Sequence, residues 1–303
     1  MVRLLANAMI WYGTHRRGTN MRRTPAKFRL AFREVSFPSA NRDSAQICGW
    51  LIEARGEAKA VVLLCHGIDS SAQSMLAKAA MLSRNGFACL LFDFRGTGRS
   101  GGDIVTLGLR EADDVLGAVE YVKGLEELRG LPLIGLGESM GGSAVIRAAA
   151  QCDAIRAVIS ESTYSTLTDA LNNRLKLTGP FAKQIAEHCH AISAEKYDVQ
   201  IPDVSPVRDI AALSPRPLFF IHDNFDVLCP RSQSDRLYEA AKEPKERWDV
   251  PYAPHTFAHL VAPREYERRI VDFLSRVVQH ETGAAPLFHS VVERPGSRAL
   301  AGA

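Results

Sequence analysis

Residues 131–142 read LPLIGLGESMGG, and this stretch decides the fold class. It begins as an apolar run typical of a buried strand, and small residues typical of a tightly packed helix continue to about residue 150. Ser139 therefore falls between a strand and a helix, with Gly137 and Gly141 on either side. A sharp strand-to-helix turn needs such small residues, because they let neighbouring backbone approach closely. The pattern predicts an exposed serine nucleophile beside the positive N-terminus of a helix.

Apolar runs and helical segments alternate on both sides of this stretch. Two half-buried strands joined by a polar turn open the pattern as a hairpin, and buried runs separated by helices follow. The predicted strands lie at 32–39, 46–54, 60–67, 87–96, 131–139, 155–162, 216–223 and 247–253. Such alternation favours an α/β fold with a mostly parallel central sheet and helices on both faces.

Three regions are expected along the chain. Residues 33–282 form the α/β domain, and its alternation stops at about 163–212, which predicts a small helical cap insertion over the active edge of the sheet. Within the cap, the candidate pocket-lining or cap-core residues are Leu167, Leu171, Leu175 and Phe181. A tail at 283–303, rich in Gly, Ala and Pro, is expected to be flexible.

The N-terminal extension, residues 1–32, is basic, because no acidic residue precedes Glu34. Its apolar residues at helical spacing predict a short amphipathic helix, and they are Leu4, Leu5, Ala8, Met9 and Tyr12. Two interpretations stay open: a helix docked on the fold, and a helix in peripheral contact with a membrane surface. The apolar stretch is too short to span a bilayer.

Composition excludes several classes of protein. The 303 residues are 46% hydrophobic and 23% charged, with a net charge of +3, so we expect a globular protein and no nucleic-acid partner. The six cysteines are scattered without a C-x-x-C spacing, which favours reduced thiols and a cytoplasmic location. We expect no metal, because His188, Cys189 and His190 would point in different directions on a helix.

A serine hydroxyl needs a neighbouring base and an orienting carboxylate to act as a nucleophile. His255 follows the last predicted strand, with His259 as its competitor, and Asp226 follows the preceding strand, with Asp223 as its competitor. Ser139, Asp226 and His255 occur in the chain order Ser, Asp, His that this architecture uses.

Two backbone N–H groups are expected to stabilise a developing oxyanion. Met140 follows the nucleophile directly, and Ile68 lies in the loop that leaves the strand predicted to neighbour Ser139. His66 is expected to brace that loop and to take no part in proton transfer.

As an ordered set, these motifs resemble the α/β-hydrolase superfamily. Besides the serine turn, LLCHG at 63–67 resembles its oxyanion strand, and FDFRGTGRSGG at 92–102 resembles its D-x-R-G-x-G-x-S loop. The segments at 205–230 and 250–274 resemble its acid and histidine loops, with two departures: Asp223 stands where relatives carry glycine, and Tyr252 and Pro254 replace small residues. The resemblance also makes Glu161 a third candidate acid.

The resemblance implies a serine hydrolase that cleaves a carboxylic ester or a thioester through an acyl-enzyme, without a metal or an organic cofactor. Two alternatives stay open. One is a peptidase or an acyltransferase with the same three residues, and the other is a catalytically silent binding scaffold on the same fold.

Overall fold

A computed structural model describes residues 1–15 and 23–283. The basic residues at 16–22 and all but the first residue of the predicted C-terminal tail lie outside the described residues. None of the helices in these two ranges combines the length and the apolar composition needed to cross a membrane.

Eight strands form one sheet with the order β1-β2-β4-β3-β5-β6-β7-β8. The strands β1 and β2 form the predicted antiparallel hairpin, β2 also pairs antiparallel with β4, and all other neighbours are parallel. The strands are β1 (Phe32–Pro38), β2 (Gln46–Ile52), β3 (Val61–Cys65), β4 (Ala88–Phe92), β5 (Leu133–Glu138), β6 (Ile155–Glu161), β7 (Leu218–Asp223) and β8 (Lys245–Val250). The predicted α/β class with a mostly parallel sheet is confirmed.

Helices cover both faces of this sheet. In the described residues they are α1 (Val2–Thr14), α2 (Leu76–Arg84), α3 (Glu111–Lys123), α4 (Met140–Gln151), α5 (Leu167–Leu175), α6 (Ala182–Tyr197), α7 (Pro206–Asp209), α8 (Arg231–Ala240), α9 (Ala258–Val261) and α10 (Pro263–Glu281). One core layer lies between the sheet and α3, α4 and α8, and the other lies between the sheet and α2 and α10. Strands β3 to β7 are almost completely buried because they have apolar layers on both sides.

The chain changes direction across the sheet between β3 and β5. From β3 it continues to β4 on one side, and it then returns to β5 on the other side of β3. Ligands of open α/β sheets bind beyond the carboxyl ends of the strands at such a switch point. The loops that carry Ile68 and Ser139 leave β3 and β5 at this point, so the topology brings the two loops together.

A buried ionic group fixes the loop after β4. Arg95 donates to both carboxylate oxygens of Asp114 at 2.8 to 3.2 Å, and it also pairs with Asp43. Asp93 accepts from the backbone N–H groups of Ala72 and Arg99. Through these hydrogen bonds, the motif at 92–102 joins the end of β4 to α3 and to the segment that leads into α2.

The cap has its own apolar core, formed by α5, α6 and α1. The helix α1 is docked on α6, as one of the two interpretations of the extension expected. The predicted helix forms, and its fully buried apolar side chains are Ala6 and Ile10, whereas Leu4 and Leu5 of the predicted apolar set are exposed. The small Ala6 lets α1 approach α6 closely, and its carbonyl oxygen lies 4.0 Å from Cys189 Sγ. Contact of the exposed apolar face with a membrane stays a prediction.

Candidate active site

Ser139 occupies a strained turn between β5 and α4. Its backbone has φ 52° and ψ −115°, which is a sparsely populated conformation for a residue with a side chain. Such a conformation costs of order 1–3 kcal/mol and persists where the surroundings enforce it. The backbone N–H of Ser139 donates to Glu161 O at 2.9 Å, which ties the turn to β6. Ser139 is 7% exposed, so its hydroxyl sits in a nearly closed site.

Glycines make this turn possible because backbone from three directions meets there. A Cβ at Gly137 would lie 2.4 Å from the Gly141 carbonyl carbon, and a Cβ at Gly141 would lie 2.2 Å from Cys65 O. A Cβ at Gly142 would lie 1.9 Å from Thr163 Oγ1. These distances are shorter than any van der Waals contact, so a larger residue would displace β3, α4 or the loop after β6.

The loop after β3 approaches Ser139 from the neighbouring strand. A Cβ at Gly67 would lie 3.5 Å from the Ser139 Cβ, and Ile68 and Met140 line the same cavity as Ser139. The buried His66 braces this loop, because its Nδ1 bonds Gly67 O at 2.7 Å and its Nε2 accepts from Phe94 N at 3.1 Å. Burial lowers the pKa of His66, which keeps the ring neutral in this arrangement.

Asp226 and His255 meet at the same edge of the sheet. Asp226 Oδ2 lies 2.6 Å from His255 Nδ1, and Asp226 Oδ1 accepts from the N–H groups of Leu228 and Cys229 at 2.9 and 2.8 Å. The two loops are also joined directly, because Phe225 N donates to Ala253 O at 2.9 Å. Both oxygens of the Asp226 carboxylate are thus held by donors, which fixes its orientation towards the imidazole.

The two other candidate acids have different partners. Asp223 accepts from Ser162 Oγ at 3.0 Å through one oxygen, while its other oxygen has no hydrogen-bond partner among the described residues. Burial, aided by the nearby Glu161, raises the pKa of Asp223 to about 7. Glu161 accepts from Lys78 Nζ at 2.7 Å and from the hydroxyl of Tyr266 at 2.9 Å. Of the three candidates, Asp226 is the one whose carboxylate the structure brings to His255.

A buried ammonium group lies beneath the turn that carries Ser139, and sequence reasoning missed it. Lys78 of α2 forms ion pairs with both Glu138, the residue before Ser139, and Glu161, which pairs with Glu138 in the register of β5 and β6. Burial opposes the charge on Lys78, but the two carboxylates outweigh that effect and raise its pKa. The sequence signal was the position of Lys78 on the apolar face of α2, between Met75 and Leu82.

His259, the competing base, lies on this buried side. A ring nitrogen of His259 is within 4.8 Å of carboxylate oxygens of Glu138 and Glu161. Burial, together with the charge of Lys78, lowers the pKa of His259 to about 4, so the ring is neutral at neutral pH. His259 therefore belongs to the support of the turn, whereas His255 belongs to the loop that carries Asp226.

Cys229 is a second residue that sequence reasoning missed. It lines the same cavity as Ser139, and its sulfur lies within 4.8 Å of ligand-type atoms of Asp226 and His255. Burial raises the pKa of this thiol, and the charge of Asp226 raises it further, so the group is a neutral thiol. Cys229 thereby links Ser139 spatially to the Asp226–His255 pair.

Two groups in the described residues have the side-chain types and the closeness that a metal ion needs. They are Asp226, Cys229 and His255, and Glu138, Glu161 and His259. In the first, Asp226 and His255 already bond each other; in the second, the ammonium of Lys78 supplies the positive charge between the carboxylates. Both groups are thus explained by contacts within the protein.

A cavity of about 160 Å³ opens in front of Ser139. Leu167 and Leu171 line it, as two of the four cap candidates were expected to, whereas Leu175 is buried in the cap core and Phe181 is 42% exposed. The helix α1 also contributes to the lining, which no sequence pattern predicted.

Solved structures share this fold. An esterase of Pyrococcus furiosus, Pf2001, superposes with a TM-score of 0.72 at 24% identity, covering 86% of this chain and 97% of the esterase. The α/β hydrolase GrgF from Penicillium superposes with a TM-score of 0.65 at 20% identity, covering 82% of this chain and 99% of GrgF. At these identities the likeness establishes the α/β-hydrolase fold.

Sequence relatives extend over most of the chain. The uncharacterised protein YfhR of Escherichia coli K12 is 28% identical over 240 residues, which are 77% of this chain and 78% of YfhR. The uncharacterised protein YqkD of Bacillus subtilis is 27% identical over 223 residues, which are 71% of each chain. The family model Hydrolase_4, described as serine aminopeptidase, S33, matches residues 56–212, which is more than half of the chain. The chain therefore belongs to the serine aminopeptidase S33 family of α/β hydrolases.

Proposed function

We propose that the protein hydrolyses carboxylic esters, of oxygen or of sulfur, through an acyl-enzyme on Ser139, with His255 as the general base and Asp226 as its orienting carboxylate. The observation that carries this proposal is the 2.6 Å contact between Asp226 Oδ2 and His255 Nδ1 at the sheet edge where Ser139 is held. A carboxylate on Nδ1 keeps the proton on that nitrogen, so Nε2 is free to accept a proton.

The first half of the reaction forms the acyl-enzyme. Ser139 Oγ attacks the ester carbonyl carbon while His255 Nε2 takes the hydroxyl proton, and Asp226 stabilises the imidazolium that results. Apo structures often lack the final catalytic hydrogen bonds. We therefore expect the Ser139 hydroxyl to turn towards His255 when substrate binds. The imidazolium then protonates the leaving alcohol or thiol.

The backbone N–H groups of Met140 and Ile68 are the proposed donors to the oxyanion of each tetrahedral intermediate. One such donor contributes about 3 kcal/mol of transition-state stabilisation. In the second half, His255 removes a proton from water, the hydroxide attacks the acyl carbon, and the proton returns to Ser139 Oγ as the carboxylic acid leaves.

The chemistry of the cavity favours an ester over an aminoacyl substrate. An aminopeptidase needs a carboxylate that pairs with the free ammonium group of its substrate. Among the described residues that line the cavity, the acidic side chain is Asp69, which is exposed, and Arg174 adds a positive charge. The walls nearer to Ser139 are mainly apolar, which suits an acyl chain and disfavours a charged amine.

A labelling experiment tests the proposal. Purified wild-type protein and its Ser139→Ala, His255→Ala and His259→Ala variants are treated with a fluorophosphonate, and the modified peptide is identified by mass spectrometry. Hydrolysis of p-nitrophenyl esters, of acyl thioesters and of amino-acid p-nitroanilides is measured in parallel. We expect a single adduct on Ser139 in the wild type, and a fall in ester turnover of about 10⁴-fold or more in Ser139→Ala and His255→Ala. His259→Ala is the matched histidine control, with a small effect.

Each other outcome would point elsewhere. If His259→Ala were crippling and His255→Ala mild, the assignment of the base would be wrong. Faster turnover of anilides than of esters would favour the peptidase. Absence of an adduct and of turnover in folded protein would favour the silent scaffold.

A further inference from the structure

The helix α1 forms part of the lining of the cavity in front of Ser139. Ile68 and Met140 line this cavity together with Ser139, and α1 contributes the consecutive residues from Tyr12 to Thr14, together with Met9 and Ile10. The helix α1 precedes residue 56, where the match to the family model begins. A wall of the substrate cavity is thus supplied by a segment outside the matched region.

Hydrogen bonds and apolar contacts hold α1 in this position. The N–H of Val105 donates to Thr14 O at 2.7 Å, and His15 forms a β-bridge with Ile104. At the cap side, Lys196 Nζ donates to Asn7 Oδ1 at 2.9 Å. The helix α1 is therefore fixed both to the loop before α3 and to α6, and it behaves as part of the domain.

Two hydroxyl groups of the cavity lining have hydrogen-bond partners within the protein. Thr14 Oγ1 donates to Ile10 O at 2.7 Å, and the hydroxyl of Tyr164 donates to Leu107 O. Because these hydroxyls have partners already, what they offer an occupant is mainly hydrocarbon surface. An apolar chain would gain free energy by entering, at about 0.8 kcal/mol per buried methylene group.

The volume limits the length of such a chain. A cavity of about 150 Å³ in another protein holds one benzene molecule, which has six carbons. The cavity here is about 160 Å³, so its size matches a chain of about six carbons beyond the ester carbonyl. Shorter chains would leave part of the apolar lining uncovered, and much longer chains would exceed the space that the cavity offers.

We propose that α1 forms the far wall of an acyl-binding cavity, and that this wall makes the enzyme selective for medium-chain acyl esters of about six to eight carbons. The inference rests on the proposed function, since it takes Ser139 as the group that attacks the ester. It adds the substrate class and assigns specificity to Met9, Ile10 and Gly13.

Gly13 allows the sharpest test. A Cβ built at Gly13 would meet a single neighbour within 4 Å, Leu107 Cδ1 at 3.9 Å, and both residues line the cavity, so we expect the side chain of Gly13→Leu to start without backbone overlap and to occupy cavity space. For wild type, kcat/KM with p-nitrophenyl esters should rise from acetate to octanoate and fall again at dodecanoate. In Gly13→Leu the ratio of kcat/KM for octanoate to that for acetate should fall about a hundredfold. Met9→Ala should shift the optimum to a longer chain.

Ala8→Leu is the matched control, because Ala8 is exposed on the outer side of α1 and gains the same side chain there. Its octanoate-to-acetate ratio should equal that of wild type. If Gly13→Leu lowered turnover of all chain lengths equally, or changed none, the inference would be overturned while the proposed function stood.

A binding measurement distinguishes failure of the acyl-cavity inference from failure of the proposed function. Calorimetry with octanoate is carried out on Ser139→Ala and on the double variant Ser139→Ala with Gly13→Leu, so that occupancy is measured without turnover. We expect the second substitution to weaken octanoate binding at least tenfold. Equal binding to both would overturn the acyl cavity, whereas absence of labelling and hydrolysis in wild type would overturn the proposed function.

Discussion

Gly141 lies in the nucleophile turn and Gly13 lies in the cavity wall, and their surroundings differ sharply. A Cβ at Gly141 would collide with Cys65 O at 2.2 Å, whereas a Cβ at Gly13 would come to 3.9 Å from one flexible side chain. The turn is defined by backbone packed against backbone, with the ion pairs of Lys78 beneath it. The cavity wall at Gly13 is formed by side chains, and it has room for an added Cβ atom. Changes at the turn should therefore affect all substrates, and changes at the wall should affect the choice among them.

The largest expected effect comes from a change in the Asp226–His255 pair, which, like a change in the turn, should affect all substrates. Asp226→Asn should lower kcat/KM by about 10⁴-fold, because an amide can hold the imidazole in the wrong tautomer. The loss in kcat/KM should be the same for the acetate and octanoate esters, whereas a change in the cavity wall should alter the ratio between them. Asp223→Asn is the matched control three residues away, and steady-state kinetics should show it within about threefold of wild type. A larger loss of kcat/KM in Asp223→Asn than in Asp226→Asn would assign the orienting carboxylate to Asp223.

Removing the charge beneath the turn should have the next largest effect. Lys78→Met leaves Glu138 and Glu161 buried together without a cation, and breaking a buried ion pair in this way costs about 3–5 kcal/mol. The loss in free energy of unfolding, measured by urea denaturation, should be greater at pH 8 than at pH 5, because protonation at low pH relieves the repulsion. Lys123→Met is the control, since Lys123 forms an exposed pair with Glu120. A variant as stable as wild type at both pH values would show that the cluster gives the turn no support.

The two glycines give a third and smaller contrast. Gly141→Ala should lower the free energy of unfolding by about 3 kcal/mol and slow labelling of Ser139, because the new Cβ overlaps backbone of β3. Gly13→Ala should raise the free energy of unfolding by about 0.5–1 kcal/mol, because alanine is the better helix former and the site has room. Chemical denaturation of the pair measures both changes. Equal destabilisation by the two substitutions would remove the distinction between turn and wall.

The last expected effect is a dependence of stability on pH. Asp223 has a pKa of about 7 in the folded protein, above its ordinary value of 3.8. The folded state therefore holds this proton more tightly than the unfolded chain does. The stability that this provides is complete below about pH 4 and is lost as pH rises through 7. Asp223→Asn should flatten the fall in free energy of unfolding between pH 5 and pH 8.

The exposed Glu126 supplies the control for that titration, because Glu126→Gln should leave the pH profile of the wild type unchanged. A profile of Asp223→Asn as steep as that of the wild type would assign the dependence to another group.

Local pattern predicted much of the fold. The buried runs, the glycines around Ser139 and the polar residues after strands are short-range signals, and each strand formed within a few residues of its predicted bounds. The fold class and the α/β-hydrolase superfamily were therefore accessible from sequence. The roles of Ser139, Asp226, His255, Met140 and Ile68 stay predictions, which the proposed experiments address.

Long-range contacts account for what the sequence did not reveal. Lys78 meets Glu138 and Glu161 across 60 and 83 residues, and no local pattern connects them. The helix α1 is apolar on several sides, so the periodicity of its sequence does not identify the buried face. That face is determined by packing against α6, which buries Ala6 and Ile10. Cys229 contacts Ser139 because of the path of the acid loop, which depends on the hydrogen bonds to Asp226.

The seam between α1 and the loop at Ile104 and Val105 has a consequence for how this protein could diversify. The residues proposed for the chemistry lie between β3 and the loop that carries His255, whereas α1 is a separate segment that contributes to the cavity lining. Substitutions in α1 could therefore alter substrate preference without changing the backbone of the strained turn at Ser139.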